Sequence, residues 1–117
     1  MNNFNNKTYS LQLYESGPDI TKNEQKIMRD FYDRVLAFAE PYKKVPYLIS
    51  TYSKMKLMIK YDGSSPNGVV KYTKQIVKFL ECLVYNIPDE DVRSAAKELI
   101  EEAHSYNVFF KLAYKSK

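Results

Sequence analysis

Apolar residues recur at helical spacing in four stretches of this chain, and prolines separate the stretches. Ile27, Met28, Phe31, Tyr32, Val35 and Ala39 form the first stripe. Leu48, Tyr52, Met55 and Ile59 form the second. Val69, Thr73, Ile76, Leu80, Leu83 and Val84 form the third, and Val92, Ala96, Leu99, Ala103, Tyr106, Phe110 and Ala113 the fourth. A stripe that repeats every three to four residues specifies an amphipathic helix with one face toward a core. Only Tyr9, Leu11 and Leu13 alternate as a strand does, and no second segment offers them a partner. At 117 residues the chain is one domain by size. A domain of that size buries about two-thirds of its unfolded surface. The expected architecture is all-α, a compact bundle of four to five helices.

The boundaries have local chemical reasons. Thr21-Lys22-Asn23-Glu24 has the capping-box spacing, so the first helix is expected to begin there. Pro41 ends it, because a proline ring clashes with the preceding turn. The second helix is expected from Pro46 to Lys60, and Asp62 to Gly68 reads as a loop. The third helix is expected over 69–86. Pro88 breaks the chain again. Asp89, Glu90 and Asp91 then stand where a helix dipole favours acids, at the start of one long helix or two short ones. Lys111, Lys115 and Lys117 stand at its far end, where cations are favoured. Residues 1–19 are polar and turn-rich up to Gly17-Pro18-Asp19, and read as a flexible N-terminal arm before a helical-bundle domain at 20–117.

Charge is segregated along the chain. Residues 41–80 hold eight lysines and one acid, Asp62, a local balance of +7. Residues 81–102 hold seven acids against Arg93 and Lys97, a balance of −5, while the whole chain is only +4. Such segregation suits a polyanion partner better than the net charge does. On the third helix Lys71, Lys74 and Lys78 fall in one narrow arc opposite the apolar stripe. Three ammonium groups so placed can each pair with a phosphate oxygen, a contact that ignores sequence and weakens with salt. Lys56 and Lys60 on the second helix, and Lys43 and Lys44 in the preceding loop, are candidates to extend that surface. A solvated lysine face that only confers solubility is the simpler alternative.

Other features carry less. Eleven tyrosines with no tryptophan suit interfaces and stacked bases, although compositional bias also explains them. Val108, Phe109 and Leu112 project away from the main stripe of the last helix, which marks an enclosed helix end or an oligomer contact. His104 and Cys82 are each the single residue of their type, too few ligands for a metal site and no basis for a nucleophile–base pair. Glu101-Glu102 and Asp89–Asp91 read as capping and a solvated flank. No phosphate-binding glycine loop is present. The expectation is a non-enzymatic protein without cofactors. One cysteine, no apolar run near 18 residues and no apolar leader lead us to expect a cytoplasmic location without a membrane partner.

Four motifs in order resemble the small helical subunit of type III-A CRISPR effector (Csm) complexes. They are Ile20-Thr21-Lys22-Asn23-Glu24-Gln25-Lys26-Ile27, then Lys54-Met55-Lys56-Leu57 followed by Tyr61-Asp62-Gly63, then Val70-Lys71-Tyr72-Thr73-Lys74-Gln75-Ile76, and finally Tyr106 to Lys115. The resemblance covers about residues 20–115. Two positions depart from the family pattern: Ser64 stands where an Arg usually follows the turn glycine, and Phe109 where a Glu usually stands. The resemblance implies a non-catalytic RNA-binding subunit of an antiviral complex, stacked in several copies along crRNA and target RNA beside other Csm subunits. It implies an RNA surface drawn from Lys26, Lys54, Lys56, Lys60, Lys71, Lys74 and Lys78, with the missing Arg moving weight onto Lys60, Lys71 or Lys74. A DNA-binding helix-turn-helix regulator and a helical protein-interaction adaptor are the competing readings. The first is weakened by a loop longer than that motif's three- to four-residue turn.

Overall fold

A computed structural model of the protein describes residues 20–60 and 65–114, with Lys60 described by its backbone alone. The proposed arm at 1–19, the loop residues 61–64, Lys115 and Lys117 lie outside the described residues. Among the described residues there are four α-helices and no strand. They are α1 (Lys22–Ala39), α2 (Ile49–Lys60), α3 (Pro66–Asn86) and α4 (Glu90–Ala113), with a 3-10 turn at Glu40–Tyr42. The all-α expectation holds, and the last stripe is one helix of 24 residues.

The capping box at α1 is complete. The Glu24 N–H donates to Thr21 Oγ1 at 3.0 Å, and the Thr21 N–H donates to Glu24 Oε1 at 2.9 Å. At the other end the Glu40 N–H still reaches the Leu36 carbonyl. Pro41 has no N–H to continue the ladder. It does not break the chain outright, because the backbone tightens into the 3-10 turn instead. The second helix starts later than Pro46. The Val45 carbonyl accepts from both Leu48 and Ile49, at 2.8 and 3.0 Å, so residues 46–48 form a turn and regular α-geometry begins at Ile49.

The third helix starts earlier than expected, at Pro66. Ser65 Oγ accepts the Gly68 N–H at 2.9 Å, and Pro66 occupies the first turn, where a missing N–H costs nothing. Pro66, Asn67 and Gly68 are therefore helical and not loop. Pro88 ends α3 through its predecessor. Ile87 is held extended, at φ −106° and ψ 117°, which is the region a following proline imposes. Asp89 then caps α4 by accepting the Val92 N–H at 3.1 Å.

The helices run up, down, up and down. Asn107 Nδ2 donates to the Val70 carbonyl and Arg93 Nε to the Val84 carbonyl, so α3 and α4 are antiparallel. Gln75 Nε2 donates to Thr51 Oγ1, and Cys82 Sγ lies 3.7 Å from the Tyr47 carbonyl, so α2 runs antiparallel to α3. Phe31 packs edge-on to Tyr106 at 5.1 Å, and Tyr114 donates to Glu24 Oε1 at 2.6 Å, so α1 runs antiparallel to α4. Tyr32 against Tyr72 at 6.0 Å closes the diagonal from α1 to α3. This is the connectivity that short loops between antiparallel neighbours produce.

Every stripe residue expected in the core of α2 is buried, as are Met28, Phe31, Tyr32, Val35 and Ala39 of α1. Ile27 is the exception, 43% exposed at the edge of its stripe. On α3 the stripe is buried except for half-buried Val84, and Tyr72, Gln75 and Phe79 also go under. On α4 Ala96, Ala103 and Phe110 are buried, Val92, Leu99 and Tyr106 half-buried, and Ala113 exposed. No helix of the described residues is long and apolar enough to cross a membrane.

Candidate nucleic-acid interface

The α3 helix has neighbours on three sides. Its Val70 and Thr73 meet Asn107 of α4, its Gln75 and Phe79 meet Thr51 and Tyr52 of α2, and its Tyr72 meets α1. What remains is the outer corner, diagonally opposite α1. Lys71, Lys74 and Lys78 occupy that corner, all exposed, within an arc of about 60° at the helical turn per residue. Among the described residues none of the three is in an ion pair. At Lys74 the surface dips into a cleft of about 190 Å³ lined also by Thr73, Val77, His104 and Asn107. His104 thus belongs to this face. Among the described residues no group of His, Cys, Asp or Glu is arranged to hold a metal ion.

The other lysines are spread over different sides. Lys54 is about 60° from Thr51, the residue of α2 that touches α3, so it flanks the same corner. Lys56 is about 140° from Thr51, on the opposite flank. Its ammonium lies 5.9 Å from the centre of the Tyr52 ring. Glu40 is the acid of that neighbourhood. It accepts from Lys43 Nζ and from the Tyr52 hydroxyl, and both lysines beside it, Lys43 first, hold its carboxyl below the ordinary value. Lys56 therefore does not extend the α3 surface. Glu40 falls one residue before the basic block begins, so the block's charge balance omitted it.

Lys26 is exposed on α1, about 160° from buried Met28 and thus on the far corner of the bundle. Acids interrupt the cations there: Arg29 pairs with Asp33 and Arg34 with Asp30. Lys60 has no described side chain. Of the seven lysines named from the sequence, the fold brings Lys71, Lys74 and Lys78 together, with Lys54 at their flank. Lys44 is exposed.

Glu102 is not part of a solvated flank. Arg34 grips it with two bonds, Nη1 to Oε1 at 2.9 Å and Nη2 to Oε2 at 2.7 Å, and the Tyr106 hydroxyl donates to Oε2 at 2.7 Å. Arg34, and then Tyr106, hold the Glu102 carboxyl below its usual value, while burial and Glu102 push Tyr106 up to about 12. At the end of the same seam burial pushes Glu24 up, but hydrogen bonds from Tyr114 and Thr21 outweigh it and the net direction is down. A carboxylate whose folded pKa is depressed adds stability that is present above the unfolded value, about 4.5, and lost as pH falls through the folded one. Glu102→Gln is therefore expected to cost about 1 kcal/mol at pH 7, the scale of a partly solvated pair. The gap to wild type should narrow as pH falls below about 4.5. Urea titrations at pH 7 and pH 3 read this out, and a pH-independent gap would contradict it.

Val108, Phe109 and Leu112 are 53, 49 and 66% exposed. They are not enclosed. Phe109 also lines a groove of about 400 Å³ with Ile27, Tyr106 and Phe110 between α4 and the start of α1. Ile27 thus joins an apolar patch that the sequence assigned to α4 alone. Comparison with protein-family models, with curated proteins and with solved structures found no match.

Proposed function

We propose that this protein binds the phosphate backbone of RNA through the outer corner of α3, as a non-catalytic subunit of a larger assembly. The observation that carries this reading is the arc of Lys71, Lys74 and Lys78, exposed, clustered and without an acid partner among the described residues. Together with the order of motifs, it supports the more specific reading of a small subunit of a type III-A CRISPR (Csm) complex. In that role the corner lines the channel for crRNA and target RNA, and cleavage belongs to other subunits. The apolar patch at Val108, Phe109 and Leu112, with Ile27, then meets a second copy. Four side chains supply less than the roughly 800 Å² per partner of a stable dimer, so such copies hold together with help from the RNA.

The DNA-regulator reading loses support from the antiparallel course of α2 and α3, which differs from the near-perpendicular crossing of a helix-turn-helix. The test is binding of unstructured RNA at several salt concentrations. Lys71→Glu with Lys74→Glu is expected to weaken affinity at least about tenfold and to reduce the log–log salt slope by roughly 1.4 for single strands. An unchanged affinity and slope would mean that the surface is misassigned. Preference for one duplex DNA over competitor would select the regulator, and failure to bind any nucleic acid with capture of an acidic protein would select the adaptor. Co-purification with a crRNA-containing complex tests the specific reading.

A further inference from the structure

The lysine arc ends on an aromatic ring. Tyr85 lies two turns beyond Lys78, within about 20° of it around the axis of α3. It is 85% exposed, more than any other large hydrophobic residue among those described. The core does not account for it, since Leu80 and Leu83 carry the buried side of that turn. Tyr47, 51% exposed, comes from the α1–α2 connection to the same end of α3, where its carbonyl lies by Cys82.

Electrostatics changes along this ridge. The lysines occupy its first half. Beyond Lys78 come exposed Glu81 and then the negative end of the helix dipole, with capping Asp89 just past it. A phosphate is disfavoured there, whereas the neutral face of a base is not. We infer that Tyr85 is a stacking platform for an unpaired base of a single strand of RNA whose phosphates follow Lys71, Lys74 and Lys78. The ridge from Lys71 to Tyr85 is about 21 Å long at the helical rise per residue, enough for several nucleotides. Tyr47 offers a second exposed ring at the same end of α3. In a duplex each base is already stacked on both faces, so the platform selects single strands. Aromatic stacking tolerates any base, so it adds affinity without sequence preference.

This inference rests on the RNA reading above, and the experiment separates the two. Oligouridine and an RNA duplex of equal length are titrated against wild type, Tyr85→Ala, Tyr85→Phe, Tyr85→Trp and the Lys71→Glu/Lys74→Glu pair, each checked for native helicity. Tyr85→Ala is expected to weaken oligouridine binding by about 5- to 150-fold, the range of one stacked base. It should leave duplex affinity and the salt slope unchanged. Tyr85→Phe should bind within about twofold of wild type, because the ring is retained. The chain has no tryptophan, so the indole introduced by Tyr85→Trp reports alone, and its emission should be quenched by oligouridine. If Tyr85→Ala binds oligouridine like wild type, or loses duplex and single strand equally, the platform is overturned and the lysine surface stands. If wild type binds no RNA even at low salt, both fall.

Discussion

Phe31→Ala is expected to destabilise the protein by about 3–5 kcal/mol, the range for an aromatic ring removed from a packed core. Phe31 is fully buried. Its ring meets Tyr106 edge-on at 5.1 Å and lies 5.5 Å from the Arg34 guanidinium carbon. Truncation leaves a cavity at the α1–α4 seam, where Tyr106 and Arg34 also hold Glu102. The loss therefore combines burial, ring pairing and the alignment of an ion pair. With a domain stability of about 5–15 kcal/mol, it removes a large share. Urea unfolding followed by helical circular dichroism should give a lower midpoint at an unchanged slope. A loss under about 1 kcal/mol would mean that α1 is not docked as described.

Ala103→Asp is expected to cost at least about 4 kcal/mol at pH 7. Ala103 is fully buried one turn before Asn107, which donates to Val70 and Thr73 of α3. No buried cation among the described residues waits there to pair with a carboxylate. The folded state would raise the pKa of the new group, so the penalty grows as pH rises through the ordinary carboxylate range and eases in acid. Ala103→Leu isolates the steric part. It adds volume without charge and should cost about 1–3 kcal/mol at any pH. Thermal unfolding of both variants at pH 4 and pH 7 separates the terms. Equal behaviour of the two across pH would show that position 103 is open to water.

Local chemistry was readable in the chain. Thr21 and Glu24 announced their own cap, and the second stripe proved buried residue for residue. The shift of α3 to Pro66 came from competing local signals: Asn67 and Gly68 are turn formers, but Ser65 and Pro66 together make a better helix start. What stayed hidden were relations between distant segments. Glu102 resembled a solvated acid because its partner, Arg34, is 68 residues away. Lys54 and Lys56 stand two apart on one helix, and only the packing side of α2 assigns them to opposite flanks. Ile27 continues its stripe, yet α4 is not broad enough to cover it. Tyr85 was visible as one tyrosine among eleven, and its exposure depends on three helices surrounding α3 and leaving one corner bare.

The exposed apolar side chains lie on two unlike surfaces. Ile27 and Phe109 line the groove between α4 and the start of α1, with Leu112 and Val108 exposed beside them on the outer side of α4, while Ile49 and Leu57, 46 and 54% exposed, lie on the outer side of α2. A patch that meets its own kind about a two-fold axis closes a pair and stops. A row of copies needs head-to-tail contacts, in which one patch meets a different one and the next copy repeats the step. If copies associate through these patches, the geometry of growth is decided by which of the two is buried first. A closed pair would turn the lysine corners of its two copies in opposed directions, and only the open row would carry them all the same way along one strand.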